Sequence, residues 1–89
     1  MGQTDQGYIG NRVIAAEHGE PDALYDLGLF YSTGQGVEQN FVEAHKWFNL
    51  AAMRGVRRAQ VDRSELARDM SSFDVAEAQR QAREWLAKH

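Results

Sequence analysis

The sequence has no cysteine, a single proline and no long apolar run. Without cysteine, the chain forms neither a disulfide framework nor a thiolate metal site. No apolar run approaches the ~20 residues that a membrane-spanning helix needs, so we expect no membrane-spanning segment and no membrane partner. The first ten residues lack the basic and apolar regions of a secretory signal, although an upstream segment could be missing. On this basis we expect a cytoplasmic protein.

A length of 89 residues suits one small domain. The hydrophobic content of 43% is too high for a disordered chain, and the net charge of −3 argues against a nucleic-acid partner. Residues 1–53 carry seven acidic and two basic side chains, whereas residues 54–89 carry six acidic and eight basic ones. This asymmetry indicates either a solvated surface or end-to-end complementarity with a neighbouring copy or domain.

Local signals predict helix almost throughout. Alanine, glutamate, glutamine and arginine are abundant, and the alternation typical of strands is missing. Gly19 and Gly55 are natural helix ends, Pro21 suits a first helical turn, and Asn40 with Glu43 forms a capping-box pattern. These signals predict five helices, at about residues 8–18, 21–33, 41–54, 57–70 and 73–88.

A short pattern, Ala-Ala-x-x-Gly, occurs at residues 15–19 and again at residues 51–55, which is a separation of 36 residues. The match extends to Ala23 and Ala59 and is lost near Arg63. A period of this length in helical sequence predicts stacked helix–turn–helix repeats. Small residues such as Gly28 would let the helices of one repeat approach closely beside larger apolar residues such as Phe48.

The loop at residues 34–37, Gly-Gln-Gly-Val, and the later Lys-Trp-Phe at residues 46–48 are quite specific. With the alanine pattern, they make residues 15–55 resemble a Sel1-like repeat, a relative of the tetratricopeptide repeat. The matching positions are Ala23, Leu27, Gly28, Tyr31, Gly34, Gly36, Val37, Ala44, Trp47, Ala51, Ala52 and Gly55.

The resemblance implies an all-α, right-handed α-α superhelix of about five helices, whose first helices line a concave face. It implies one domain over residues 1–89: a partial repeat at 1–19, a full repeat at 20–55, and divergent C-terminal capping helices at 56–89 that end with Trp85 as a plug. Sel1-like proteins generally act as interaction adaptors in bacterial and eukaryotic signalling and assembly, and catalysis is not a general property of the family.

The candidate reactive residues do not form a recognisable site. His18, His45 and His89 are too widely spaced on the predicted helices for a metal centre. No serine occupies the strand–turn–helix context of an activated nucleophile. Gly34 and Gly36 follow a helix rather than a strand, so they do not predict a phosphate-binding loop. We therefore expect no catalytic residue, no cofactor and no metal.

A binding surface is predicted beside the buried stripes of the second and fourth helices. Six residues form it: Tyr25, Leu29 and Ser32 on helix two, and Val61, Glu65 and Arg68 on helix four, which the 36-residue period maps onto them. They would make a shallow groove with an apolar strip flanked by charge. Alternatively, Tyr25 and Leu29 are partly buried against helix four.

Two functions follow from this reading. The first is a non-catalytic interaction module, or adaptor, that presents the groove to a protein or peptide partner. The second is structural: a capping fragment of a longer repeat array or a self-associating module, with Tyr8, Ile9 and Val13 stacking on a preceding repeat.

Overall fold

The computed structural model describes residues 6–89, and residues 1–5 of the predicted partial repeat lie outside that range. The described residues form five helices and no strand: α1 (Gln6–Glu17), α2 (Pro21–Thr33), α3 (Phe41–Met53), α4 (Arg57–Ala67) and α5 (Ser72–Lys88). The predicted all-α class and five helices are confirmed. The helix α4 ends at Ala67 rather than near residue 70, because the backbone N–H groups of residues 68–70 bond to carbonyls three residues earlier and tighten the chain into turns.

The Ala-Ala-x-x-Gly pattern is a helix terminator with the same geometry in both copies. The N–H of Glu20 bonds to the carbonyl of Ala15, and the N–H of Val56 bonds to that of Ala51, each at 3.1 Å. Gly19 and Gly55 adopt positive φ angles of 81° and 95°. A helix that ends in this way requires a left-handed residue at the glycine position, which explains why the pattern recurs at one period.

The C-terminal end of α3 also contacts the C-terminal end of α1. The guanidinium of Arg54 donates to the carbonyl oxygen of Gly19 at 3.0 Å. A Cβ added to Gly19 would lie 2.8 Å from that guanidinium. The Arg54 side chain thus joins the two helix ends, and a side chain at residue 19 would require the guanidinium to move.

The predicted capping signals act as expected, with one difference. The Asn40 side chain accepts a hydrogen bond from the backbone N–H of Glu43 at 3.1 Å. The Glu43 carboxylate does not return to the backbone of Asn40, as a capping box would have it, but accepts from the indole N–H of Trp47 at 3.0 Å. Ser71 caps α5 by accepting from the N–H of Asp74 at 3.0 Å.

Helix α3 is the centre of the core. It packs against α2, α4 and α5, while α1 packs on α2. Residues from most of its circumference are buried: Ala44, His45, Trp47, Phe48, Leu50, Ala51 and Ala52. The helices α2 and α3 form a close antiparallel hairpin, whereas α4 and α5 scarcely approach each other and pack on α3 separately.

Helix α5 contacts α3 mainly through an aromatic pair. The rings of Trp47 and Trp85 meet edge to face with centroids 6.2 Å apart. Trp85 stacks in turn on the His89 ring, whose Nε2 lies 3.1 Å from a carboxylate oxygen of Glu17 on α1. The C-terminal end of α5 therefore contacts the C-terminal end of α1.

No helix in the described range is both long and apolar enough to cross a bilayer.

The tightest approach in the hairpin is between Gly28 of α2 and Phe48 of α3. A Cβ built on Gly28 would lie 2.3 Å from the Phe48 ring. Phe48 is almost fully buried, so the ring has little freedom to withdraw. The absence of a side chain at residue 28 therefore sets the distance between α2 and α3.

Replacing Gly28 by alanine is expected to lower the free energy of unfolding by about 1–3 kcal/mol, because the added methyl group overpacks the hairpin. The matched control is Gly10→Ala in α1, where an added Cβ would meet nothing within 4 Å beyond its own helix in the described part of the chain. That change should stabilise the fold by roughly 0.5–1 kcal/mol. Urea denaturation followed by circular dichroism measures both, and equal midpoints for the two variants would contradict this account.

His45 is the one buried ionisable side chain of α3. It is 3% exposed, and its Nδ1 has no hydrogen-bond partner among the described residues. Burial lowers the pKa of the imidazole below its ordinary 6.5, and the positive charge of Arg63 acts in the same direction. His89 behaves oppositely, because its bonds to the Trp85 carbonyl and to Glu17 raise its pKa.

Stability should therefore fall as pH decreases below the unfolded pKa of 6.5, since His45 binds a proton more readily in the unfolded chain. His89 has the opposite effect, because it contributes stability below pH 6.5 and this contribution is lost at higher pH. The effect of His45 is therefore best measured in a His89→Gln background. We expect the urea midpoint of that variant to decrease between about pH 7.5 and pH 5.5. Adding His45→Leu should flatten this part of the profile, and an unchanged slope would show that another group is responsible.

Candidate binding groove

An open recess lies between α2 and α4, with α3 as its floor. We call it the α2–α4 recess, and it has a volume of about 280 Å³. Its lining residues are Leu29, Ser32, Phe48, Asp62, Glu65, Leu66 and Asp69. Three of them, Leu29, Phe48 and Leu66, supply the apolar part. The carboxylates of Asp62 and Glu65 lie on α4, and that of Asp69 lies in the turn that follows α4.

The recess exists because α2 and α4 run side by side in the same direction. Each is joined to α3 by a short connection, so each is antiparallel to α3. Along α4, residues 62 and 66 lie one helical turn apart and face α2, and residue 69 in the turn that follows continues this side. Along α2, residues 25, 29 and 32 do the same toward α4.

A hydrogen bond joins the two helices beside the recess. The Tyr25 hydroxyl donates to Oδ2 of Asp62 at 2.5 Å, and the Tyr25 ring packs on Phe48 with centroids 5.6 Å apart. Burial and the bond to Asp62 raise the pKa of the Tyr25 hydroxyl, so Tyr25 is a neutral donor at physiological pH. Both Tyr25 and Leu29 are partly buried and pack on the core.

The structure brings together only some of the predicted binding residues. Leu29, Ser32 and Glu65 line the recess, and Tyr25 borders it. Val61 is 57% exposed and Arg68 is also exposed, and neither contributes to the lining. As binding residues, all six remain predictions.

The reason is geometric. Two stacked repeats do not contact each other through equivalent faces. Of the three predicted pairs of equivalent residues, only Leu29 and Glu65 both line the recess. Tyr25 meets Asp62, which is 37 residues away, rather than the equivalent residue Val61. One residue corresponds to a rotation of about 100° around a helix, which is enough to exchange Val61 and Arg68 for Asp62 and Asp69.

Four lining residues were missed by the sequence analysis: Phe48, Asp62, Leu66 and Asp69. Phe48 was assigned to the core, and it is buried, but one side of its ring forms the floor. The spacing of Asp62, Leu66 and Asp69 is a detectable signal for one helical face. It does not say which neighbour that face meets.

The recess is small and open. Its volume is below the roughly 300–1,000 Å³ of small-molecule and cofactor sites. Among residues 6–89, no three histidine or carboxylate side chains are grouped to hold a metal ion. The recess has one helix on each side and an apolar floor, and in this it resembles grooves that bind short peptide segments.

Comparison with protein families shows a similarity over the central part of the chain. Residues 21–56 match the model of the Sel1 repeat. The matched residues cover α2, the glycine-containing loop, α3 and the turn before α4. Comparison with curated proteins and with solved structures gave no significant match.

Removing the Tyr25 hydroxyl should loosen α4 from α2. Because Tyr25→Phe leaves Asp62 without its donor, we expect a loss of about 1 kcal/mol in the free energy of unfolding. The control is Tyr8→Phe on α1, where the half-exposed hydroxyl bonds to none of the described residues. Thermal unfolding of the two variants tests this, and identical transitions would mean that the Tyr25–Asp62 bond adds nothing to stability.

Proposed function

Because residues 21–56 form a Sel1 repeat, we propose that this chain is a non-catalytic interaction module that presents the α2–α4 recess to a protein or peptide partner. Sel1 repeats are helical protein-interaction repeats, which accounts for the general role. The observation that carries the specific proposal is an open recess, built by two parallel helices, in which apolar side chains remain accessible.

The composition of the recess supports this proposal. Leu29, Phe48 and Leu66 form a central apolar area, and polar side chains surround it. Interfaces between proteins typically combine an apolar centre with a polar rim. We also propose that residues 1–89 act as one domain, with the full repeat at 20–55 and with α4 and α5 as its capping helices.

A second function is favoured by the exposed apolar residues of α1. Tyr8, Val13 and Ile14 are 49%, 38% and 58% exposed. They would suit stacking on a preceding repeat or on a second copy. Ile9, which was predicted to belong to this edge, is instead buried in the core, because it faces α2.

The proposed function is tested by filling the recess without removing any core contact. Ser32 and Thr33 are neighbours on α2, and both hydroxyls bond to the carbonyl of Leu29. Only Ser32 lines the recess. We expect peptides selected from a random display library on the intact chain to bind Ser32→Leu at least about tenfold more weakly, because each ~1.4 kcal/mol of lost contact is tenfold in affinity.

The control variant Thr33→Leu should retain the affinity of the unaltered chain. Equal binding to both variants would rule out the recess as the peptide site. Under the structural alternative, the chain self-associates through α1. Light scattering would then show an oligomer that Ile14→Gln dissociates and Ser32→Leu leaves intact.

A further inference from the structure

The charge of the α2–α4 recess is of one sign. Its lining contains Asp62, Glu65 and Asp69 and no basic residue. Within residues 6–89, no cationic nitrogen lies within 4.0 Å of these three carboxylates. The lining of the recess is therefore anionic, and no ion pair among the described residues neutralises it.

Nearby arginines form no ion pair with the carboxylates of the recess. Arg58 lies one helical turn before Asp62 and acts electrostatically on the Tyr25 hydroxyl, but it does not line the recess. Arg63, on the neighbouring face of α4, donates to the side chain of Asn49. Arg12 is paired with Asp26 at 2.9 Å. Arg68 is exposed and lies outside the recess. Asp62, Glu65 and Asp69 belong to residues 54–89, which carry more basic than acidic side chains. The excess of carboxylates in the recess is thus a local property of this surface.

Backbone dipoles add to this charge. Because α2 and α4 run in the same direction, their C-terminal ends lie at the same end of the recess. Ser32 is in the last turn of α2, and Leu66 is in the last turn of α4. The C-terminal end of a helix carries a partial negative charge of about half an electron and favours cations.

The apolar part limits what can enter. Leu29, Phe48 and Leu66 offer an apolar floor, and the volume of about 280 Å³ is small. This combination suits one large aliphatic or aromatic side chain with charged neighbours outside. Interaction anchors are typically single apolar residues that enter such a pocket while charged residues at the rim set specificity.

We infer that the partner of the α2–α4 recess is a basic protein segment, in which one apolar side chain contacts Leu29, Phe48 and Leu66 while lysine or arginine residues on either side face Glu65 and Asp69. This inference rests on the proposed function and adds the chemistry of the occupant. An acidic segment would be repelled by Glu65 and Asp69, and an uncharged segment would leave these two carboxylates without a cationic partner.

The experiment uses the intact chain and the same random peptide library. We expect selected peptides to be enriched in lysine and arginine around one apolar position. The affinity of such a peptide, measured by fluorescence polarisation, should fall with added salt, because screening weakens exposed charge pairs.

A charge variant and its matched control localise the effect. The double change Glu65→Gln and Asp69→Asn removes two exposed rim carboxylates and should weaken binding roughly three- to tenfold. The control, Glu20→Gln with Glu38→Gln, removes the same charge at exposed positions outside the recess and should change affinity by less than about twofold.

The outcomes separate the two proposals. Peptides that are blocked by Ser32→Leu but lack basic residues would overturn the inference and leave the recess as the binding site. Peptides that Ser32→Leu does not block would overturn both. Phe73 on α5 is an apolar side chain that is 82% exposed and could enter the recess of a second copy. If the chain alone self-associates, and both the rim double change and Phe73→Ser abolish this, the occupant is a second copy and the inference is overturned.

Discussion

The contact between Gly28 and Phe48 is the constraint on which the rest of this structure depends. It brings α2 against α3 at a distance that no larger residue at position 28 allows. With α2 in place, α3 is enclosed by α2, α4 and α5 and becomes the centre of the core. A small domain buries a limited fraction of its surface, so one central helix that is buried around most of its circumference is an efficient arrangement.

This arrangement also creates the candidate binding groove. The close approach of α2 and α3 places the Phe48 ring between α2 and α4, where it forms the floor of the α2–α4 recess. The hydrogen bond from Tyr25 to Asp62 ties the two walls together at one side. The groove is therefore part of the same packing that stabilises the fold, and its shape follows from rigid helices rather than from loops.

The second helical pair departs from the first. The helices α4 and α5 do not form a hairpin like that of α2 and α3, and α5 instead lies against α3 and extends to Glu17 of α1. The reason lies in the residues: Trp85 provides a large apolar surface that packs against Trp47, while α4 has only Ala59 buried. A polar α4 offers α5 little to bury, so α5 packs where apolar surface is available.

Local signals in the sequence determined the five helices, most of their ends and the recurring terminator, because glycine, proline and capping residues act through the backbone within a few positions. The identical termini at Gly19 and Gly55 are the clearest case. The end of α4, which has no such residue, was placed three residues too late. Which faces of α2 and α4 meet was decided only by the tertiary structure. A repeat period relates equivalent residues, whereas stacked helices meet through faces that are not equivalent. Asp62 rather than Val61 therefore meets Tyr25, and the recess is acidic.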